Sequence, residues 1–133
     1  MSADSYTHTI DVRFRDLDPQ GHANHAVYIS YCEQAKAAPF EEVLTLPLTD
    51  APTVVRSLDI EYERAVELGD RLTVAIDVGH LGRTSCPLKY DLAVGGERAT
   101  SVRTTPVRLD SEGIPEPLPD SWRERLEPYH NEV

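Results

Sequence analysis

The sequence is short of lysine, cysteine and long apolar runs, and each shortage removes a class of protein. Two lysines stand beside eleven arginines against 23 acidic residues, so the 133-residue chain carries a net charge of −10. A chain this acidic offers no basic face to a phosphate backbone, so no nucleic acid is expected as a partner. Cys32 and Cys86 are the only cysteines, too few for a disulfide framework or a structural zinc site, and the default compartment is a reducing cytoplasm. No apolar stretch approaches the roughly 20 residues of a membrane helix, and Met1–Thr9 lacks the basic-then-apolar pattern of a secretory leader, so no membrane is expected. A surface rich in carboxylates and poor in lysine stays hydrated in concentrated salt. A salt-adapted, halophilic origin and an ordinary acidic, soluble protein both fit it.

What is present is an ordinary globular composition, with 40% hydrophobic and 27% charged residues. The length predicts one domain over residues 1–133, with a core at about 5–110 and a C-terminal extension at 111–133. Residues 6–15 alternate: Tyr6, His8, Ile10, Val12 and Phe14 share one face and Thr7, Thr9, Asp11, Arg13 and Arg15 the other, which predicts a strand. The run from Asp16 to Gly21 breaks it with turn chemistry. From Asn24, a plausible N-cap, the period becomes helical through Tyr28, Tyr31, Cys32 and Ala35, with Glu33, Gln34 and Lys36 as interleaved polar residues. Pro39 predicts an end or kink near Ala37 or Ala38, and Pro47–Pro52 predicts a loop. The remainder alternates with period two. Leu58, Ile60 and Tyr62 form one inward set, Leu72 to Val78 the next, and Cys86 to Val94 a third. Gly95-Gly96 is a hairpin signal, and Val102 to Leu109 completes the run, with Pro106 pointing to an edge or a bulge. The tail holds four prolines and one short turn at Asp120–Leu126. His8 and His80 fall on inward strand faces, as core or interface groups.

One strand, one main helix and four strands on short turns require antiparallel pairing, hence an α+β class. The apolar sheet face needs a cover and the helix is the one element available. A curved antiparallel sheet wrapped around one long central helix follows, with an open edge that predicts a partner subunit.

The densest functional cluster is Asp16-Leu17-Asp18-Pro19-Gln20-Gly21-His22-Ala23-Asn24-His25, two carboxylates and two imidazoles in a loop feeding a helix N-terminus. Such a loop exposes backbone N–H groups that suit a developing oxyanion. Acyl transfer is one reading, with an Asp as base or nucleophile. A metal site from Asp16, Asp18, His22 and His25 is a second, though nothing else supplies an obvious further ligand. A phosphotransferase loop is a third, but it needs a continuous apolar strand in a parallel sheet, and this strand alternates. A purely structural turn and cap is the fourth. In that structural account Asp16 is a turn partner, Glu33 pairs with an arginine and the two cysteines are small buried residues.

The stretch from Phe14 to Tyr28, followed by Tyr31-Cys32-Glu33-Gln34-Ala35-Lys36, closely resembles the signature D-x-D-x-x-G-H-x-N-N/H-x-x-Y-x-x-Y-x-E-x-A-R of the 4-hydroxybenzoyl-CoA thioesterase family of hotdog-fold proteins. Leu81-Gly82-Arg83-Thr84-Ser85 resembles that family's junction between two central strands, and the element order matches over about residues 5–127. The resemblance implies an acyl-CoA thioesterase that releases a free acid and CoA. By position in the motif it assigns the catalytic carboxylate to Asp18, as nucleophile or general base, and the oxyanion N–H to His25, whose side chain is a further candidate. It implies substrate contacts from His22, Asn24, Tyr28, Arg83, Thr84 and Ser85, no metal, no cofactor beyond the CoA substrate, and a homodimer or a homotetramer built as a dimer of dimers. Relatives carry Asn more often at position 25, or an aromatic residue at position 24 beside the histidine, so this chain mixes two branches. The alternative is a non-catalytic acyl-binding or structural hotdog dimer.

Overall fold

Gly95 and Gly96 take φ of +60° and +82°, a left-handed pair that reverses the chain in two residues. This turn joins β4 (Leu88–Val94) to β5 (Glu97–Arg108). The other elements are β1 (Tyr6–Asp11), α1 (Val27–Glu42), β2 (Thr53–Tyr62), β3 (Arg71–Val78) and α2 (Asp120–Leu126), with single 3-10 turns at Phe14–Asp16 and Glu127–Tyr129. These come from a computed structural model, which describes residues 6–45 and 53–131. The strands form one antiparallel sheet in the order β1-β3-β4-β5-β2. The β1 and β2 edges are therefore both free of a strand neighbour within the described chain.

The core follows the period-two pattern. Leu72, Val74, Ile76 and Val78 of β3 are buried beside Leu88, Tyr90 and Leu92 of β4 and Val102 of β5. Each such side chain contributes about 1.5–3 kcal/mol by leaving water. α1 lays Tyr28, Tyr31, Cys32 and Ala35 into the same cluster, the i, i+3, i+4, i+7 spacing that puts four side chains on one helix face. It contacts β1 and β3. At 16 residues it spans about 24 Å, shorter than the long central helix of the expectation.

Several sequence expectations need correction. The first strand ends at Asp11 rather than Arg15, because the chain tightens into the Phe14–Asp16 turn and leaves Phe14 79% exposed. α1 continues through Pro39 to Glu42. The lost N–H bond is one local term, and the buried Leu44 just beyond anchors the last turn by packing. Lys36, one of the interleaved polar residues, is buried at 5%, with its ammonium 3.2 Å from Glu33. Glu33 thus pairs with a lysine, not an arginine. β2 begins at Thr53, five residues before Leu58, and of its inward set only Ile60 packs against the core: Leu58 is 45% and Tyr62 48% exposed. An edge strand that outruns the elements covering it shows both faces. β5 starts at Glu97, straight out of the hairpin. Pro106 lies inside the sheet, and the bulge it needs appears opposite, between Val55 and Ser57 of β2. His80 is exposed, beyond the end of β3. The Pro47–Pro52 loop lies outside the described residues.

The chain after β5 folds back on the sheet. Glu116 N–H and Leu118 N–H donate to Arg108 and Arg83 carbonyls. α2 then buries Trp122 and Leu126, with the Arg108 guanidinium 4.6 Å from the Trp122 ring centre.

Candidate active site

Between β1 and α1 the chain is tied almost residue by residue. Asp16 is buried, and its Oδ2 accepts Arg13 N–H and the Tyr31 hydroxyl, each at 2.9 Å. Burial, and then this carboxylate, push the Tyr31 pKa well up, so the phenol stays a donor. Asp16 is thus the structural carboxylate of the pair. Asp18 opens a tight loop in which its N–H donates to His22 O at 2.8 Å and Gly21 N–H donates back to Asp18 O at 3.0 Å. Gly21 sits at φ +81°, where a side chain would be strained. The Asp18 Oδ1 accepts Gln20 N–H at 2.9 Å and His22 N–H at 3.2 Å. Two N–H bonds on one oxygen orient the carboxylate and leave Oδ2 without a hydrogen bond among the described residues.

The loop is fastened to the β2–β3 connection by Ala23 N–H on Val66 O and to itself by Asn24 N–H on Asp16 O. Asn24 Oδ1 accepts Ala26 N–H at 2.9 Å, and Asn24 O accepts Val27 N–H at 2.9 Å. Asn24 is therefore an Asx-turn residue just ahead of α1. His25 N–H, alone in that run, donates to no group among the described residues.

These ties place Asp18, His22, His25 and Tyr28 around one open cleft of about 390 Å³. Tyr28 is buried and its ring meets Tyr62 edge-on at 5.2 Å. Burial raises the pKa of both phenols. Tyr62, Glu63 and Arg64, at and just after the end of β2, complete the wall. None of the three was singled out from the sequence. They stand far from Asp18 along the chain, and only the sheet order brings them there. Tyr62 donates to His25 O at 3.1 Å. Glu63 is gripped by the Arg98 guanidinium at 2.6 Å, which lowers its pKa, and Arg64 meets Glu97 at 3.2 Å.

Asn24 is outside this cleft, and so are Arg83, Thr84 and Ser85. The latter three are held at the far end of the sheet. Gly82 N–H donates to Ser85 O, Arg108 N–H to Thr84 O, and Leu118 N–H to Arg83 O. Glu63 and Arg64 N–H groups bond Ala99 O at one end of β5, while Arg108 closes the other. At about 3.3 Å per residue these points are about 30 Å apart. Among the described residues, no three His, Cys, Asp or Glu side chains gather in a group that could hold a metal ion.

A family model described as the thioesterase superfamily matches residues 20–99. The chain belongs to the thioesterase superfamily. As a superfamily member it is a thioester hydrolase. It is 37% identical to a Thermus thermophilus thioesterase solved with coenzyme A and zinc, over 91% of this chain and 90% of that one, with a TM-score of 0.86. A predicted thioesterase from Bacillus stearothermophilus superposes with a TM-score of 0.89 at 22% identity, covering 97% and 98% of the two chains. A 1,4-dihydroxy-2-naphthoyl-CoA thioesterase from Synechocystis gives 0.83 at 18% identity, covering 92% and 95%. These last two likenesses speak for the fold, and the five-stranded antiparallel sheet with α1 on it is consistent with the hotdog arrangement. No curated protein matches the sequence. Among the described residues of this superfamily member, no helix is long and apolar enough to cross a membrane.

Proposed function

We propose that the protein hydrolyses an acyl-CoA thioester to the free acid and CoA, with Asp18 as its catalytic carboxylate. The observation that carries this reading is the Asp18 side chain, fixed through Oδ1 by two backbone N–H groups at the mouth of a cleft that His25 also lines. Asp18 Oδ2 takes a proton from a water that adds to the thioester carbonyl, or attacks that carbon itself. The carbonyl oxygen, gaining charge, is met by the unengaged His25 N–H, and such a donor is worth about 3–4 kcal/mol of barrier. In the first route the C–S bond breaks and the departing sulfur takes the proton from Asp18; in the second the thiolate leaves an acyl anhydride on Asp18, which a water splits to the free acid and the Asp18 carboxylate, the released proton passing to the thiolate. Water and these groups suffice, so no cofactor enters. His22 and Tyr28 shape the cleft, and Asn24 acts by holding the loop rather than by touching substrate.

Arg83, Thr84 and Ser85 serve the same site only if a second copy delivers them. An antiparallel pairing of two β2 edges would set the Thr53 end of one copy beside the Tyr62 end of the other. Thr53 pairs with Arg108, which bonds Thr84, so that end carries the three residues. The exposed Val54, Val55 and Leu58 supply apolar surface for such a homodimer, and two dimers back to back would give the homotetramer. We read residues 1–133 as one domain, with the extension packed on the core by Trp122 and Leu126. In it, α1 is the central helix around which the sheet curves.

The test is thiol release from a panel of acyl-CoAs. Wild type should hydrolyse at least one, and Asp18→Asn should lose the activity. Hydrolysis that survives the substitution would remove Asp18 from its role. A wild type inert to every acyl-CoA would point to the acyl-binding or structural dimer.

A further inference from the structure

The bonds around His25 single out a residue of a different strand. The His25–Ala26 peptide unit is held from both sides. Its N–H, on Ala26, donates to Asn24 Oδ1 at 2.9 Å, and its carbonyl, on His25, accepts the Tyr62 hydroxyl at 3.1 Å. The preceding unit is held at its carbonyl end by Val27 N–H on Asn24 O, and its own N–H, on His25, is the one left for a ligand. The orientation of that N–H therefore depends on two pinned neighbours, and one pin comes from 37 residues away. The Tyr62 ring is itself fixed, edge-on against buried Tyr28 at 5.2 Å and 76°, so the hydroxyl is aimed rather than trailing in solvent.

We infer that Tyr62 is a positioning residue for the oxyanion donor. Its hydroxyl clamps the His25 carbonyl and so sets the direction of the His25 N–H, acting through the peptide rather than on the reacting atoms. This rests on the reading of Asp18 and His25 above. Donor placement acts on the transition state more than on the ground state, so the loss should fall on kcat.

Tyr62→Phe keeps the ring contact and removes only the hydroxyl. It should lower kcat about tenfold, a scale set by small misplacements of reacting groups, with KM changed less than about twofold and the melting temperature unmoved. In the same variant, with no substrate present, amide hydrogen exchange over His25–Val27 should speed up severalfold. Tyr62→Ala, which also strips the ring, should add a loss of melting temperature. A Tyr62→Phe enzyme with wild-type kcat, or with raised KM at unchanged kcat, would overturn the clamp. So would unchanged amide exchange. Asp18→Asn is assayed alongside. Its inactivity beside a fully active Tyr62→Phe sinks the clamp alone, whereas an active Asp18→Asn sinks the carboxylate reading and the clamp with it.

Discussion

Two aspartates two positions apart sit in opposite surroundings. Asp16 is buried and satisfies a phenol and a backbone N–H, so it holds the loop together. Asp18 is only partly buried, is oriented through one oxygen and faces the cleft. The two should therefore fail differently. Asp16→Ala orphans the Tyr31 hydroxyl and the Arg13 N–H and should cost about 2 kcal/mol of stability, read as a lower melting temperature. Asp18→Asn should keep the melting temperature and lower kcat by about 10²–10⁴, the range of a general base. The D-x-D spacing is plain in the sequence. Which carboxylate points inward is not, because that depends on Tyr31 lying one helical turn beyond Tyr28 and reaching back over the loop.

At the scale of elements, α2 works as a bolt. Seven residues are too few for a helix to be stable alone, so α2 exists because Trp122 and Leu126 bury themselves and Arg108 lies over the indole. Trp122→Ala should cost about 3–5 kcal/mol, measured as a fall in the urea midpoint, while KM for an acyl-CoA stays near wild type. The sequence did mark Asp120–Leu126 as a short turn. It held no sign that this turn reaches the core, since a single tryptophan among prolines carries no periodicity. The same limit explains β2. Alternation marked Leu58, Ile60 and Tyr62 as one face, but alternation cannot tell an edge from a centre, and this strand is an edge.

For the whole molecule, the exposed β2 edge and the roughly 30 Å between the cleft and Arg83–Ser85 are one problem with one proposed answer, a second copy. Leu58→Lys should shift the mass measured by light scattering from dimer to monomer and lower hydrolysis with it. A fully active monomer would remove the second copy from the site. Alkaline pH tests the core as a whole. Burial pushes the Cys32 and Cys86 thiols up from 9.0 to about 12, and the hydrogen bond to Glu42, with burial, pushes the Tyr6 phenol from 10.0 to about 12. The folded state keeps these protons longer than the unfolded chain does. Their contribution is intact below pH 9.0 and is lost as pH rises from there through about 12. Thermal melts should thus fall steadily above about pH 9, and both thiols should resist alkylation until the protein unfolds.

Residue order alone carries the strand periods, the single main helix, the turn between β1 and α1 and the family. All of these are local, written in residue spacing and in turn residues such as Gly21 and Gly95-Gly96. What the folded chain alone reveals is that Tyr62 closes the cleft, that Arg83–Ser85 stand outside it at the far end of the sheet, and that Lys36 is buried. Those outcomes follow from which strands lie side by side. Strand neighbours are chosen by the collective burial of one core, and no single stretch of chain carries that information.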